Sequence, residues 1–236
     1  MEDQPIMTVA APLPVPARWL ALVAVLAGLA FLPLAAVLEG PAVVATKGAG
    51  VTLLALAALA LRVPGGGWLA AIMAAGALGD VLLEIPGLFI AGAGSFGAGH
   101  IIAMIFYARR RRPSGVPLRL GAAALILFGL IMPPLLQPRL LPVGVAMLYA
   151  VLLCGMAASL WLSRLPRIAA WGALLFVASD TLIVARLAGH SLGGPTLSGA
   201  AVWLSYLAGQ AMIWLGVARG LISDQSAAGA SGPGAG

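Results

Sequence analysis

Five ionisable side chains interrupt otherwise apolar stretches of this sequence: Lys47, Asp80, Glu84, His100 and Asp180. Ser179, Tyr149, Tyr206 and Gln210 are the polar groups closest to them in kind. An ionisable group inside a membrane-spanning helix costs about 2.5–3.5 kcal/mol on insertion scales, so such groups face a cavity or a partner. Two carboxyl groups in a poorly solvated cleft divide acid and base work between them, one neutral and one ionised. Each residue also has a structural reading. Asp80, Asp180 and His100 could bond neighbouring helices, Lys47 could snorkel or pair with a carboxylate, and Glu84 beside Pro86 could reach headgroup water. No other chemistry stands out. Walker, dinucleotide, HExxH, CxxC and GxSxG signatures are all missing. Gly92, Ala93, Gly94 and Ser95 form a Gly-rich run, but no strand precedes it, which makes a poor phosphate loop. The ligand set for a metal is poor as well, so no metal or cofactor is expected.

The elements that must position these groups follow from composition. Hydrophobic residues make up 62% of the 236 positions and charged residues 8%. A water-facing surface needs roughly 25% charged residues, so the solvent for this chain is hydrocarbon. There only helices and closed barrels satisfy their backbone groups, and the long Leu- and Ala-rich runs lack the period-two alternation of a barrel. Spans of about 20 apolar residues fall at 17–38, 42–61, 68–85, 88–108, 118–136, 140–162, 168–187 and 197–218. Gly and Pro mark the breaks between them. The expected architecture is an all-α, polytopic transmembrane bundle of about eight helices. Residues 1–16 form an N-terminal segment, 17–220 the transmembrane domain, and 221–236 a Gly/Ala/Ser-rich disordered tail. Cys154 is the single cysteine, which excludes an internal disulfide.

Twelve of the thirteen basic residues are Arg, and they gather between apolar runs. A nucleic-acid surface would need a basic face with interleaved aromatics; this pattern instead orients a membrane protein. Arg18, Arg62, the arginines at 109–112, Arg119, Arg164, Arg167 and Arg219 fall on the side of the termini, and only Arg139 and Arg186 fall opposite. Both termini are therefore expected in the cytoplasm, and the Arg-rich, Lys-poor composition hints at a bacterial inner membrane. On that topology Lys47, Asp80, Asp180, Tyr149 and Tyr206 share one layer in the outer half of the bilayer, with His100 and Gln210 nearer the midplane. The halves also echo each other: Phe96, Gly99 and His100 answer Tyr206, Gly209 and Gln210, and Asp80 with Leu82 answers Asp180 with Leu182. Four helices per half predict a parallel repeat. Coincidence in Ala/Gly/Leu-biased text is the plain alternative.

In these residues the chain resembles the YhhN family of eight-helix membrane proteins, which includes the lysoplasmalogenases. The resemblance rests on Gly79, Asp80 and Leu82; on Phe89, Gly92, Phe96 and His100; on Gly172, Phe176, Ser179 and Asp180; and on Tyr206 with Gln210. Lys47, Pro142 and Tyr149 fit the second and sixth helices. It implies an enzyme that cleaves the vinyl ether bond of lysoplasmalogens, without a cofactor, to a fatty aldehyde and a glycerophospho-headgroup. Asp80 and Asp180 are then the acid and base, and His100, Gln210 and Tyr206 orient water and the acids. Lys47 holds the lipid phosphate, and Tyr149, Ser179 and Glu84 complete the substrate site. The implied partners are a lysophospholipid and the bilayer, not nucleic acid. A secondary transporter, or a lipid-binding protein whose aspartates only join helices, is the alternative that the residues leave open.

Overall fold

The computed structural model describes residues 12–137 and 142–230. Eight helices follow one another: α1 (Val15–Leu34), α2 (Pro41–Ala60), α3 (Gly66–Glu84), α4 (Phe89–Ala108), α5 (Val116–Leu136), α6 (Val143–Trp161), α7 (Arg167–Leu187) and α8 (Pro195–Ala230). All eight are long and apolar enough to cross a membrane. The chain is a polytopic, all-helical transmembrane bundle, with one helix for each expected span. Prolines sit in the first turns of α1, α2, α5 and α8, where the missing N–H would have had no helical partner. Gly65 takes φ 93° at the head of α3, a left-handed conformation that a side chain resists.

The helices pack chiefly as hairpins, α1 on α2, α3 on α4, α5 on α6 and α7 on α8, with α2 also against α3. Lipid tails are as apolar as leucine, so helix association depends on close packing at small residues. A Cβ built on Gly172 would lie 2.6 Å from the Gly209 carbonyl oxygen, and one on Gly209 would lie 2.8 Å from the Gly172 oxygen. The backbones of α7 and α8 therefore touch directly. Gly129 of α5 similarly lies against the carbonyl of Ala150 on α6. Large side chains such as Leu26, Leu127 and Leu148 remain exposed, facing the hydrocarbon.

Two expectations need correction. The tail from 221 is not disordered as far as Ala230, because α8 continues to that residue. Leu221 and Ile222 are buried, and Asp224 pairs with Arg164 at 3.0 Å and Arg110 at 3.8 Å. Helix α1 stops at Leu34, short of 38. The packing follows the predicted repeat in most pairs: α1 on α2, α2 on α3 and α3 on α4 answer α5 on α6, α6 on α7 and α7 on α8, and α2 with α8 answers α6 with α4. Helix α8 in addition approaches the backbones of α1 and α3, whereas among the described residues α4 makes no such backbone approach to α5 or α7. The bulky Phe96 and Phe176 rings fill the space between α4 and α7, holding those backbones apart. Arg139, the expected start of the sixth helix at 140, the N-terminal segment through residue 11 and the tail from 231 lie outside the described residues.

At the end of the bundle nearest the chain termini, the loop after α4 pairs with the loop after α6. Arg112 N–H donates to the Leu162 carbonyl at 3.2 Å, and Arg164 N–H donates to the Arg110 carbonyl at 2.8 Å. The opposite end, where α1, α3, α5 and α7 finish, is here called the rim. It carries the chamber described next.

Candidate functional site

Helices α3 and α7 rise towards the rim and place Asp80 and Asp180 late in their spans. Helices α2 and α6 descend from the rim and place Lys47 and Tyr149 early in theirs. Alternating direction thus turns four distant sequence positions into one layer. A cavity of about 570 Å³ opens at that layer. All of the expected site residues except His100 and Gln210 line it.

The two carboxyl groups are held alike, on different helices. Tyr206 on α8 donates its hydroxyl to Asp80 Oδ2 at 2.7 Å, and Tyr149 on α6 donates to Asp180 Oδ2 at 2.5 Å. Asp80 is 2% exposed and Asp180 7%. Each carboxyl thus has one tyrosine hydroxyl as donor and lines the cavity. No other protein hydrogen bond reaches either side chain among the described residues.

Nearer the rim, Lys47 forms an ion pair with Glu84, both side chains being partly buried. Glu84 lies one helical turn beyond Asp80 on α3, so the pair covers the cavity directly above that carboxyl. The ammonium group is thereby engaged by a neighbouring acid. Ser179 lines the cavity, but its hydroxyl donates to the Val202 carbonyl at 2.9 Å and ties α7 to α8.

An aromatic floor closes the inner end. The rings of Phe96, Phe176 and Tyr206 stand edge to face, with centroids 5.1–5.9 Å apart. His100 lies beyond this floor, 5.4 Å from the Phe176 ring and 5.7 Å from the Tyr149 ring. It shares with Gln210 and Tyr107 a separate void of about 20 Å³, room for about one water. His100 Nε2 and the Tyr107 hydroxyl are buried there, with no hydrogen-bond partner among the described residues. The expectation that His100 shares one chamber with the aspartates is therefore corrected, while Gln210, which lines this second void, has its side chain beside Tyr206. Four residues of α4 separate Phe96 from His100, one helical turn, and that turn takes the imidazole beneath the phenylalanine ring.

Sequence reasoning missed several wall residues. Trp203 donates its indole N–H to the Gly28 carbonyl at 2.7 Å and packs on Phe31 at 4.4 Å, so it fixes the α1–α8 side. Arg186 at the end of α7 also lines the cavity. Its signal was available, because it is one of only two arginines in the sequence that fall opposite the basic cluster.

Fold and site together define a class: a multi-pass helical membrane protein with a largely apolar chamber built around two tyrosine-bonded aspartates. The YhhN family profile matches residues 42–217, and the chain belongs to the YhhN family. The match runs from α2 to α8 and contains every expected site residue. No curated protein and no solved structure matches the chain.

Proposed function

We propose that this protein is a membrane-embedded hydrolase that cleaves the vinyl ether bond of a lysoplasmalogen-type lysophospholipid. The observation that carries this reading is the pair Asp80 and Asp180: two carboxyls from separate helices, each bonded to a tyrosine, lining one largely apolar cavity. Hydrolysis starts with proton delivery to the β-carbon of the vinyl ether. The resulting oxocarbenium ion is captured by water at the carbon bearing oxygen, and the hemiacetal collapses to a fatty aldehyde and the glycerol hydroxyl. One aspartate supplies the proton. The other, as carboxylate, stabilises the cation and takes the proton of the attacking water. Tyr149 and Tyr206 hold the two carboxyls in orientation, and water is the only co-reactant. The apolar walls accept the alkenyl chain, while the rim groups face the headgroup layer.

On this reading both termini are cytoplasmic, the chamber opens towards the outer leaflet, and the protein resides in a cell membrane. Full-length protein purified in detergent is expected to release aldehyde from 1-alkenyl-glycerophosphoethanolamine or its choline counterpart, and to leave ester lysolipids intact. Asp80→Asn and Asp180→Asn should each lower the rate at least about a thousandfold while keeping the wild-type elution profile, since each removes an acid or base whose contribution is of that order. Full activity in either variant overturns the assignment. A carrier, by contrast, would release no aldehyde in detergent.

A further inference from the structure

Lys47 is the cation that sequence reasoning assigned to the lipid phosphate, but its ammonium is already bound by Glu84. The other cation lining the chamber is Arg186. Its guanidinium has no hydrogen-bond or ion-pair partner among the described residues. An arginine at a helix end usually snorkels outwards to the headgroup layer. Arg186 is exposed and lines the chamber at its mouth, lying against α8. Its Nη1 lies 3.5 Å from where a Cβ on Gly199 would stand, and Gly199 is a full turn inside the start of α8 at Pro195.

That position relative to the acids is chemically specific. Val202, whose carbonyl accepts the hydroxyl of Ser179 next to Asp180, lies three residues deeper on α8 than Gly199, about 4.5 Å along the axis. The guanidinium therefore sits roughly one helical turn above the carboxyl layer. In a glycerophospholipid five covalent bonds join the phosphorus to the sn-1 ether oxygen, about 6 Å when extended. A phosphate held at the guanidinium thus places the sn-1 linkage among the aspartates. Guanidinium is also the side chain that binds two phosphate oxygens in parallel, whereas lysine offers a point charge. A Cβ on Gly199 would stand 3.5–3.9 Å from the guanidinium atoms, ordinary contact distance, so the planar group lies against this turn of α8.

We infer that Arg186 is the anion subsite of the chamber, holding the phosphodiester of a single-chain phospholipid with its sn-1 linkage at Asp80 and Asp180. The assignment rests on reading the chamber as a lysolipid site. The Lys47–Glu84 pair is then a neutral wall beside the headgroup and makes no phosphate contact.

Binding to nanodisc-embedded protein separates this subsite from turnover. The probes are a saturated 1-alkyl-glycerophosphocholine, which cannot be hydrolysed as a vinyl ether, and the matching 1-alkyl-glycerol without phosphate. Arg186→Gln is expected to weaken the phosphate-bearing probe at least about tenfold and leave the glycerol ether unchanged. Arg186→Met, which keeps the apolar stem, should give the same split and serves if the first variant does not fold. Lys47→Gln should weaken neither probe selectively. Equal affinity of the Arg186 variants and wild type for the phosphate-bearing probe overturns the subsite, even in a protein that releases aldehyde. An Arg186-dependent preference for phosphate in a protein that cleaves no vinyl ether sustains the subsite and overturns only the hydrolase reading. Inorganic phosphate binding as tightly as the lysolipid overturns the lipid assignment.

Discussion

At the scale of single residues, the central feature is the pairing of each aspartate with one tyrosine. Tyr206 bonds Asp80 and Tyr149 bonds Asp180, at 2.7 Å and 2.5 Å, and no other protein donor assists among the described residues. A hydrogen bond to a charged group contributes about 1.5–3 kcal/mol, and an unpaired buried acceptor costs a comparable amount. Tyr206→Phe and Tyr149→Phe are therefore each expected to lower kcat for aldehyde release at least about tenfold, with KM little changed. Steady-state kinetics on the two variants checks this, and an unaltered kcat would place the tyrosines outside the reaction. The asymmetry between the two sites is also informative. Tyr206 belongs to the aromatic floor with Phe96 and Phe176, whereas Tyr149 is partly exposed and borders His100. Tyr149 thus touches both Asp180 and the imidazole ring, whereas the Phe176 ring stands between Tyr206 and His100.

At the scale of helices, the site depends on how closely α7 approaches α8. Asp180 and Arg186 stand on α7, Tyr206 and Gly199 on α8, and direct backbone contact at Gly172 and Gly209 sets their separation. Gly172→Val would drive its Cβ into the Gly209 carbonyl, 2.6 Å away, where no flexible side chain can yield. Overpacking of this kind costs about 1–3 kcal/mol and shifts backbones. The variant is expected to unfold at lower temperature in detergent and to lose aldehyde release although it alters no chemical group. Gly94→Ala is the control, because nothing lies within 4 Å of a Cβ there; its melting temperature should match wild type or exceed it. Equal melting of Gly172→Val and wild type would show that the two helices are not held by this contact.

At the scale of the molecule, the two ends of the bundle carry different work. The rim end holds the chamber. The opposite end is a basic platform on which Asp224 of the α8 extension meets Arg110 and Arg164, with Arg110 also stacked over Phe106 at 4.0 Å. Partial burial draws the Arg110 guanidinium below its ordinary value, and the Asp224 carboxylate opposes that effect. Ion pairs at this degree of exposure contribute about 0–1 kcal/mol, so they organise the extension without governing global stability. Asp224→Asn is expected to speed amide hydrogen exchange in residues 223–230 and to leave the melting temperature and aldehyde release unchanged. Unchanged exchange would mean that the extension is held by the burial of Leu221 and Ile222 alone.

The number of helices, their spans and the depth of the polar layer could be read from the sequence. Each follows from local rules: a fixed span length, Gly and Pro at breaks, and the cost of a charge in hydrocarbon. Asp80 and Asp180 stood out for that last reason. Lateral neighbours are not encoded in such rules. Whether Lys47 meets an aspartate or Glu84, whether His100 opens to the chamber or lies under Phe96, and where Arg186 turns all depend on helix rotation and on which backbones touch. Those are settled by packing among small residues far apart in sequence. The same limit explains the helical extension to Ala230: its Gly/Ala/Ser-rich text reads as a tail, and contacts with residues more than fifty positions earlier help to hold it.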